Sequence, residues 1–155
     1  RSYRLILRAA AARSKYVSYE LLIAIASRES GCRNILGDGG HGRGMFQLDD
    51  RYQQAFLSTH RGCKSGTSIP RYKNALAKGR VPTVHAGATR CCQIIDANVN
   101  QAIVDGVRYG DRRRLAISAY NAGYSGALTG YRRGNSDINT AGGDYAKDVL
   151  HRMGK

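Results

Sequence analysis

Six consecutive apolar residues, Leu21 to Ala26, form the longest uninterrupted hydrophobic run in the chain. A bilayer span needs roughly 18 or more such residues, so no membrane insertion is expected and the run must pack inside the protein. Ser18 offers a capping hydroxyl just before it, and Glu20 sits favourably in the first turn. Gly31 then ends helical structure. A helix that is apolar almost all round belongs at the buried centre of a fold.

Other helices are expected around that centre. Leu5, Ile6, Ala9 and Ala12 recur at helical spacing between Tyr3 and about Arg13. Ile94, Ile95, Val99, Ala102, Ile103 and Val107 predict a long helix, and Asp111 is expected to cap another that runs through Leu115, Ala116, Ala119 and Tyr120 to Gly123. A short helix is expected around Ala127 to Arg132, and a last one from Asp144 that carries Tyr145, Val149, Leu150 and Met153. The glycine-rich segment from Gly37 to Gly44 reads as a turn-bearing loop, and Met45 to Asp49 as a short strand or hairpin arm. Between Asp50 and Arg90 the glycines, the two prolines and weak helical signals predict an irregular excursion. With 155 residues and 42% hydrophobic content, the whole describes one mainly α domain, residues 1–155, with a small β-hairpin region and an insert at about 50–92. The first apolar stretch is cut by Arg8 before a signal-peptide core could form, so a mature or excised domain is expected.

Cys32, Cys63, Cys91 and Cys92 lack paired C-x-x-C spacing, and an even count fits two disulfides in an oxidising compartment. Adjacent Cys91 and Cys92 are poorly placed to bond each other, so each is expected to reach Cys32 or Cys63 and pin the insert. Four buried thiols are the alternative. His41, His60 and His85 form no close helical pair, and neither a metal nor a cofactor is expected.

Lys and Arg number 25 against 11 Asp and Glu, a net charge of +14. Such a field draws polyanions: nucleic acid, anionic membrane or anionic cell wall. Arg112-Arg113-Arg114 would suit phosphates, yet no zinc-finger spacing, aromatic RNA-binding strand or clear helix-turn-helix accompanies it, and nucleic acid is not the expected partner. A non-catalytic wall-binding module would use aromatic platforms, and the chain has no tryptophan.

Chemistry points elsewhere. Leu22, Ile25, Ala26 and Glu29 follow at i, i+3, i+4 and i+7, which puts a carboxyl on the apolar stripe of the most hydrophobic helix. Desolvation there raises its pKa and makes a general acid for an ether-like leaving oxygen. A salt bridge to Arg28 is the plainer alternative. Asp38 and Asp49 bracket the glycine-rich loop, and one protonated plus one ionised carboxyl make a glycosidase pair. Their plainer uses are an Asx turn and a helix cap. Tyr120 and Asn121, at the end of a helix, suit sugar hydroxyls, or else a core tyrosine and a C-cap.

Four ordered blocks carry a resemblance: Ile25-Ala-Ser-Arg-Glu-Ser30, Gly42-Arg-Gly-Met-Phe-Gln-Leu-Asp49, Ile117-Ser-Ala-Tyr-Asn-Ala-Gly123 and Gly143-Asp-Tyr-Ala-Lys-Asp-Val-Leu150. Their order resembles goose-type lysozymes and the related soluble lytic transglycosylases. The resemblance implies an α+β lysozyme-like fold with a small β-hairpin region flanking a substrate cleft. It also implies cleavage of the β-1,4 bond after N-acetylmuramic acid in peptidoglycan. A secreted protein is expected from the cysteine count, and a monomer is expected as well. Glu29 falls on the family's catalytic acid, and Asp38 and Asp49 on the aspartates that place the attacking water, which favours inverting hydrolysis over anhydro-sugar formation. Gln47, Tyr120, Asn121 and Tyr145 match cleft positions that contact sugar or steady the glutamate. A shorter interval from Glu29 to Asp49 and a longer, cysteine-bearing insert from Asp50 to Cys92 depart from the animal enzymes and resemble bacterial or phage members as much. Transglycosylase or chitinase chemistry on the same fold is the alternative.

Overall fold

The computed structural model describes residues 3–60 and 80–154, and the backbone of residues 63–64. Among these it is mainly helical with a small antiparallel β region, the class expected from the sequence. The helices are α1 (Tyr3–Ala12), α2 (Tyr19–Ser30), α3 (Gln54–Thr59), α4 (Val84–Val104), α5 (Arg112–Ala122), α6 (Tyr124–Arg132) and α7 (Tyr145–Met153). Strands β1 (Leu36–Gly37), β2 (Gly42–Arg43) and β3 (Leu48–Asp49) make one antiparallel sheet, with Leu36 opposite Arg43 and Gly42 opposite Asp49. A second pair joins β4 (Cys63–Lys64) to β5 (Arg80–Val81).

Helix α2 is the centre. The Ser18 hydroxyl accepts the Leu21 N–H at 3.1 Å, and Gly31, in the left-handed region at φ +63°, closes the other end by donating to the carbonyls of Ala26 and Ser27. Leu21, Leu22, Ile25 and Ala26 are fully buried. They join a core fed by α1, α4, α5, α7 and the turn residues Met45 and Phe46. Each buried Leu or Ile contributes about 1.5–3 kcal/mol relative to exposure, so this helix anchors the fold.

Several local expectations change. Helix α1 buries Leu7, Ala10 and Ala11, while Leu5, Ala9 and Ala12 are exposed. The alanine run Ala9 to Ala12 is apolar on every face, so periodicity could not choose the side, and packing against α4 and α2 chose it. Helix α4 begins at Val84, not near Ile94, inside the stretch read as irregular. Thr83 caps it by accepting the Ala86 N–H at 3.1 Å. Its buried stripe of Val84, Gly87, Ala88, Cys91, Cys92, Ile95, Val99 and Ala102 is regular, but more than half of it is built from small residues. Met45 to Gln47 form a turn, and only Leu48 and Asp49 belong to a strand.

Cys91 and Cys92 pack inside α4 as small hydrophobes, and Cys32 is half-buried. All three are free thiols. The expected disulfide pinning of the insert therefore finds no support among the described residues, and the Cys63 side chain lies outside them.

Neither Asp111 nor Asp144 caps its helix through its side chain. The Asp111 carboxylate instead accepts from Arg108 Nε and the Tyr131 hydroxyl, both at 3.1 Å. The N-terminus of α7 is capped from a distance by Asp137, which is 1% exposed. Asp137 accepts the N–H groups of Ala146 at 2.8 Å and Lys147 at 3.0 Å and the Ser118 hydroxyl at 2.7 Å, which ties α5 to α7. Asp137→Ala strands these buried donors, and a loss of about 2–4 kcal/mol is expected in urea unfolding. A loss below about 0.5 kcal/mol, the range of a plain surface change, would show that the carboxylate is not the tie.

Candidate functional site

Glu29 lies on the last turn of α2, on the same stripe as the buried Leu22, Ile25 and Ala26. Burial pushes its pKa from the usual 4.5 up to about 7, against the opposing pull of the Arg28 charge and of the Tyr145 hydroxyl. The alternative of a salt bridge to Arg28 is not realised. The Arg28 guanidinium reaches away to α7 and the loop before it, donating to Asp148 at 2.9 Å, to the Ala141 carbonyl at 3.1 Å and to Asp144 at 3.3 Å. It also lies over the Tyr145 ring, 5.1 Å from its centroid. Among the described residues Glu29 makes no ion pair, and its carboxyl is left largely desolvated beside a cation that is bonded elsewhere.

Two tyrosines flank this carboxyl. Tyr145, the first residue of α7, is 1% exposed, and its hydroxyl is close enough to act on Glu29 while falling short of a well-formed hydrogen bond. Tyr120, on α5, donates its hydroxyl to the Phe46 carbonyl at 2.7 Å. Burial raises its pKa well above the usual value, and the neighbouring Cys91 and Glu29 add to this. Its hydroxyl thus fastens the Met45–Gln47 turn to α5. From the other side the Ser30 hydroxyl donates to the Met45 carbonyl at 2.7 Å, so the β region is bonded both to the end of α2 and to the end of α5.

Within that region Asp38 and Asp49 come together around one residue that sequence reasoning missed, Arg51. Its Nε donates to Asp49 Oδ1 at 2.9 Å and its Nη2 to Asp49 Oδ2 at 2.6 Å, a bidentate pair. The same Nη2 donates to Asp38 Oδ2 at 3.2 Å. The Arg51 backbone N–H adds a further bond to Asp49 Oδ1 at 2.8 Å, an Asx-type turn at the position where the plainer use expected from the sequence is a helix cap. These hydrogen bonds from Arg51 hold the Asp49 carboxylate below its usual pKa in spite of partial burial. Asp38 has φ +51°, its carboxylate is mostly exposed, and its backbone carbonyl accepts the His41 N–H.

Beside them a second residue that sequence reasoning missed, the carboxylate of Asp50, bonds Arg43 Nη2 at 2.6 Å and His41 Nδ1 at 2.8 Å. Its burial raises its pKa, and the hydrogen bonds from His41 and Arg43 outweigh that and lower it overall. Nothing in an Asp49-Asp50 pair distinguishes the solvent-facing carboxylate from the inward one except strand alternation, which a two-residue strand barely displays. His41, Asp49 and Asp50 could each offer a ligand atom to one cation, within 4.8 Å of one another, but Arg43 and Arg51 already engage the two carboxylates.

Gln47 and Asn121 have internal partners. Gln47, at φ +48°, donates from Nε2 to the carbonyls of Gly44 at 2.8 Å and Ile35 at 3.1 Å. Its Oε1 lies against Gly37 and Gly42, where a Cβ on either would collide with it. The side chain braces the sheet from inside. Asn121 accepts the Ala141 N–H at 2.8 Å through Oδ1 and moors the loop that leads into α7.

The Glu29 carboxyl has a consequence for stability. Below pH 4.5 it is protonated in both folded and unfolded chains; between 4.5 and about 7 the unfolded chain ionises first, so stability falls as pH rises. Glu29→Gln removes this penalty and is expected to exceed the wild type by about 3 kcal/mol at pH 8 while differing little at pH 4, as read by urea unfolding at both pH values. An equal difference at the two pH values would contradict a buried, proton-binding Glu29. A scan of protein-family models finds none that matches the chain, and a search of curated proteins finds no match, which leaves the site's own chemistry as the guide to function.

Proposed function

We propose that this protein is a glycosidase that cleaves the β-1,4 bond between N-acetylmuramic acid and N-acetylglucosamine in peptidoglycan, with Glu29 as general acid. The observation that carries the reading is the Glu29 carboxyl itself, half-buried on the apolar stripe at the end of a hydrophobic helix and without an ion pair among the described residues, so that desolvation pushes its pKa up to about 7. Such a group holds its proton at neutral pH and can deliver it to a bridging oxygen as the bond from that oxygen to the sugar C1 breaks.

The resemblance of the four sequence blocks to goose-type lysozymes supports the same reading, since Glu29, Asp49, Tyr120 and Tyr145 all lie within them. Asp38 and Asp49 then hold the water that attacks C1 from the opposite face, which gives inversion of the anomeric centre. No cofactor is needed for this chemistry. The net charge of +14 draws the enzyme to an anionic wall, outside the cell that makes it, and makes its encounter with substrate salt-sensitive. Chitin is neutral and would use none of that field.

Glu29→Gln is expected to lower the clearing rate of a cell-wall suspension by about 10²–10⁴-fold, because it deletes the proton and keeps the shape. Undiminished clearing would refute the assignment. Wild-type activity is expected to fall as pH rises through about 7, where the acid loses its proton. Mass spectrometry of the released muropeptides separates hydrolysis from transglycosylation, since an anhydro end is lighter by one water; hydrated ends are expected.

A further inference from the structure

Building on that proposed reaction, we infer that Arg51 is a positioning residue that binds Asp38 and Asp49 into one water-holding unit and thereby decides which nucleophile completes the cleavage. Two carboxylates whose oxygens both lie within hydrogen-bond reach of a single nitrogen repel each other, and Arg51 Nη2 is that nitrogen, at 2.6 Å from Asp49 Oδ2 and 3.2 Å from Asp38 Oδ2. Asp38 is two-thirds exposed, so nothing else described in the structure keeps its carboxylate turned toward Asp49.

The donor count at Asp49 sharpens the point. A carboxylate oxygen accepts about two hydrogen bonds. Oδ1 already takes the Arg51 backbone N–H and Nε, and Oδ2 takes Nη2, so Asp49 keeps one open acceptor position, on Oδ2. The fork of Arg51 fixes the direction of that position, and Asp38 adds its own open oxygen beside it. A water donating to both is held in one orientation, its lone pair free to attack. Lysine cannot reproduce this, because a point charge lacks the planar fork.

The two outcomes balance as follows. In hydrolysis Glu29 gives its proton to the bridging oxygen, the C1–O bond breaks, the water oxygen bonds to C1, and the surplus water proton passes through the aspartate pair to solvent. Without an oriented water, the muramoyl C6 hydroxyl bonds to C1 instead, closing an anhydro ring, and its proton returns to the Glu29 carboxylate.

The test compares wild type, Arg51→Gln, Arg51→Lys and the exposed control Arg113→Gln on purified peptidoglycan, with rates from reducing ends and total fragment release, and product ends from mass spectrometry. Arg51→Gln is expected to lower kcat for hydrated ends by about 10- to 100-fold with KM little changed, and to raise the anhydro fraction. The acidic limb of its pH profile is expected to move upward as Asp49 loses its guanidinium. Arg51→Lys is expected to stay close to Arg51→Gln, Arg113→Gln close to wild type, and all four to show similar thermal unfolding. An unchanged product ratio in Arg51→Gln, full rescue by lysine, an equal effect of Arg113→Gln, or an unfolded Arg51→Gln each overturns the inference while leaving Glu29 untouched. A wild type that yields only anhydro ends does the same. A wild type that releases no glycan fragments overturns both this inference and the proposed cleavage.

Discussion

A carboxyl group taken out of water without a counter-ion is unfavourable, and the arrangement around Glu29 exists to make that state persist. Its helix neighbour Arg28 is the obvious cation to neutralise it. What prevents this is α7 and the loop before it: Asp148 on the helix, with Asp144 and the Ala141 carbonyl on the loop, draw the guanidinium off, and the Tyr145 ring lies beneath it. Arg152 strengthens the arrangement by binding Asp148 at 2.8 Å and the Ser27 hydroxyl at 2.8 Å. The proton affinity of one glutamate thus depends on where a different helix docks, and α7 docks where it does because Asp137 fixes its first turn.

The β region works by the opposite rule. There the carboxylates are paired, each with an arginine: Asp50 with buried Arg43, and Asp49 and Asp38 with Arg51. Burial with no partner raises a carboxyl's proton affinity, and hydrogen bonds from guanidinium lower it. One chain therefore holds an acid poised near neutrality and two carboxylates, Asp49 and Asp50, held as anions, and the bonds of Ser30 and Tyr120 to the Met45–Gln47 turn join the two environments.

How much of this could be read in advance follows from what each signal was made of. Helix α2 was legible because Ser18, six apolar residues and Gly31 agree with one another, and Glu29 was legible because i, i+7 spacing on an apolar stripe is a geometric statement. The first turns of α4 were not, because Gly87, Ala88, Cys91 and Cys92 are weak apolar signals whose burial depends on Phe46 and the rest of a core assembled from distant segments. Capping by Asp137 was hidden for a related reason: it acts eight residues ahead of the helix it caps, whereas Asp144 stood in the expected place. Arg51 was one arginine among many, and only coordinates reveal which of them faces two carboxylates.

The brace at Gln47 has a bearing on how such a chain can diversify. Its amide fills the space that two glycine hydrogens leave open, on β1 and on β2, and its own backbone adopts a conformation that favours few residues. Gly37, Gly42 and Gln47 therefore form a mutually locked trio, and drift at one is blocked until the others give way. In a library of functional variants these three positions should covary, while the neighbouring exposed residues change independently.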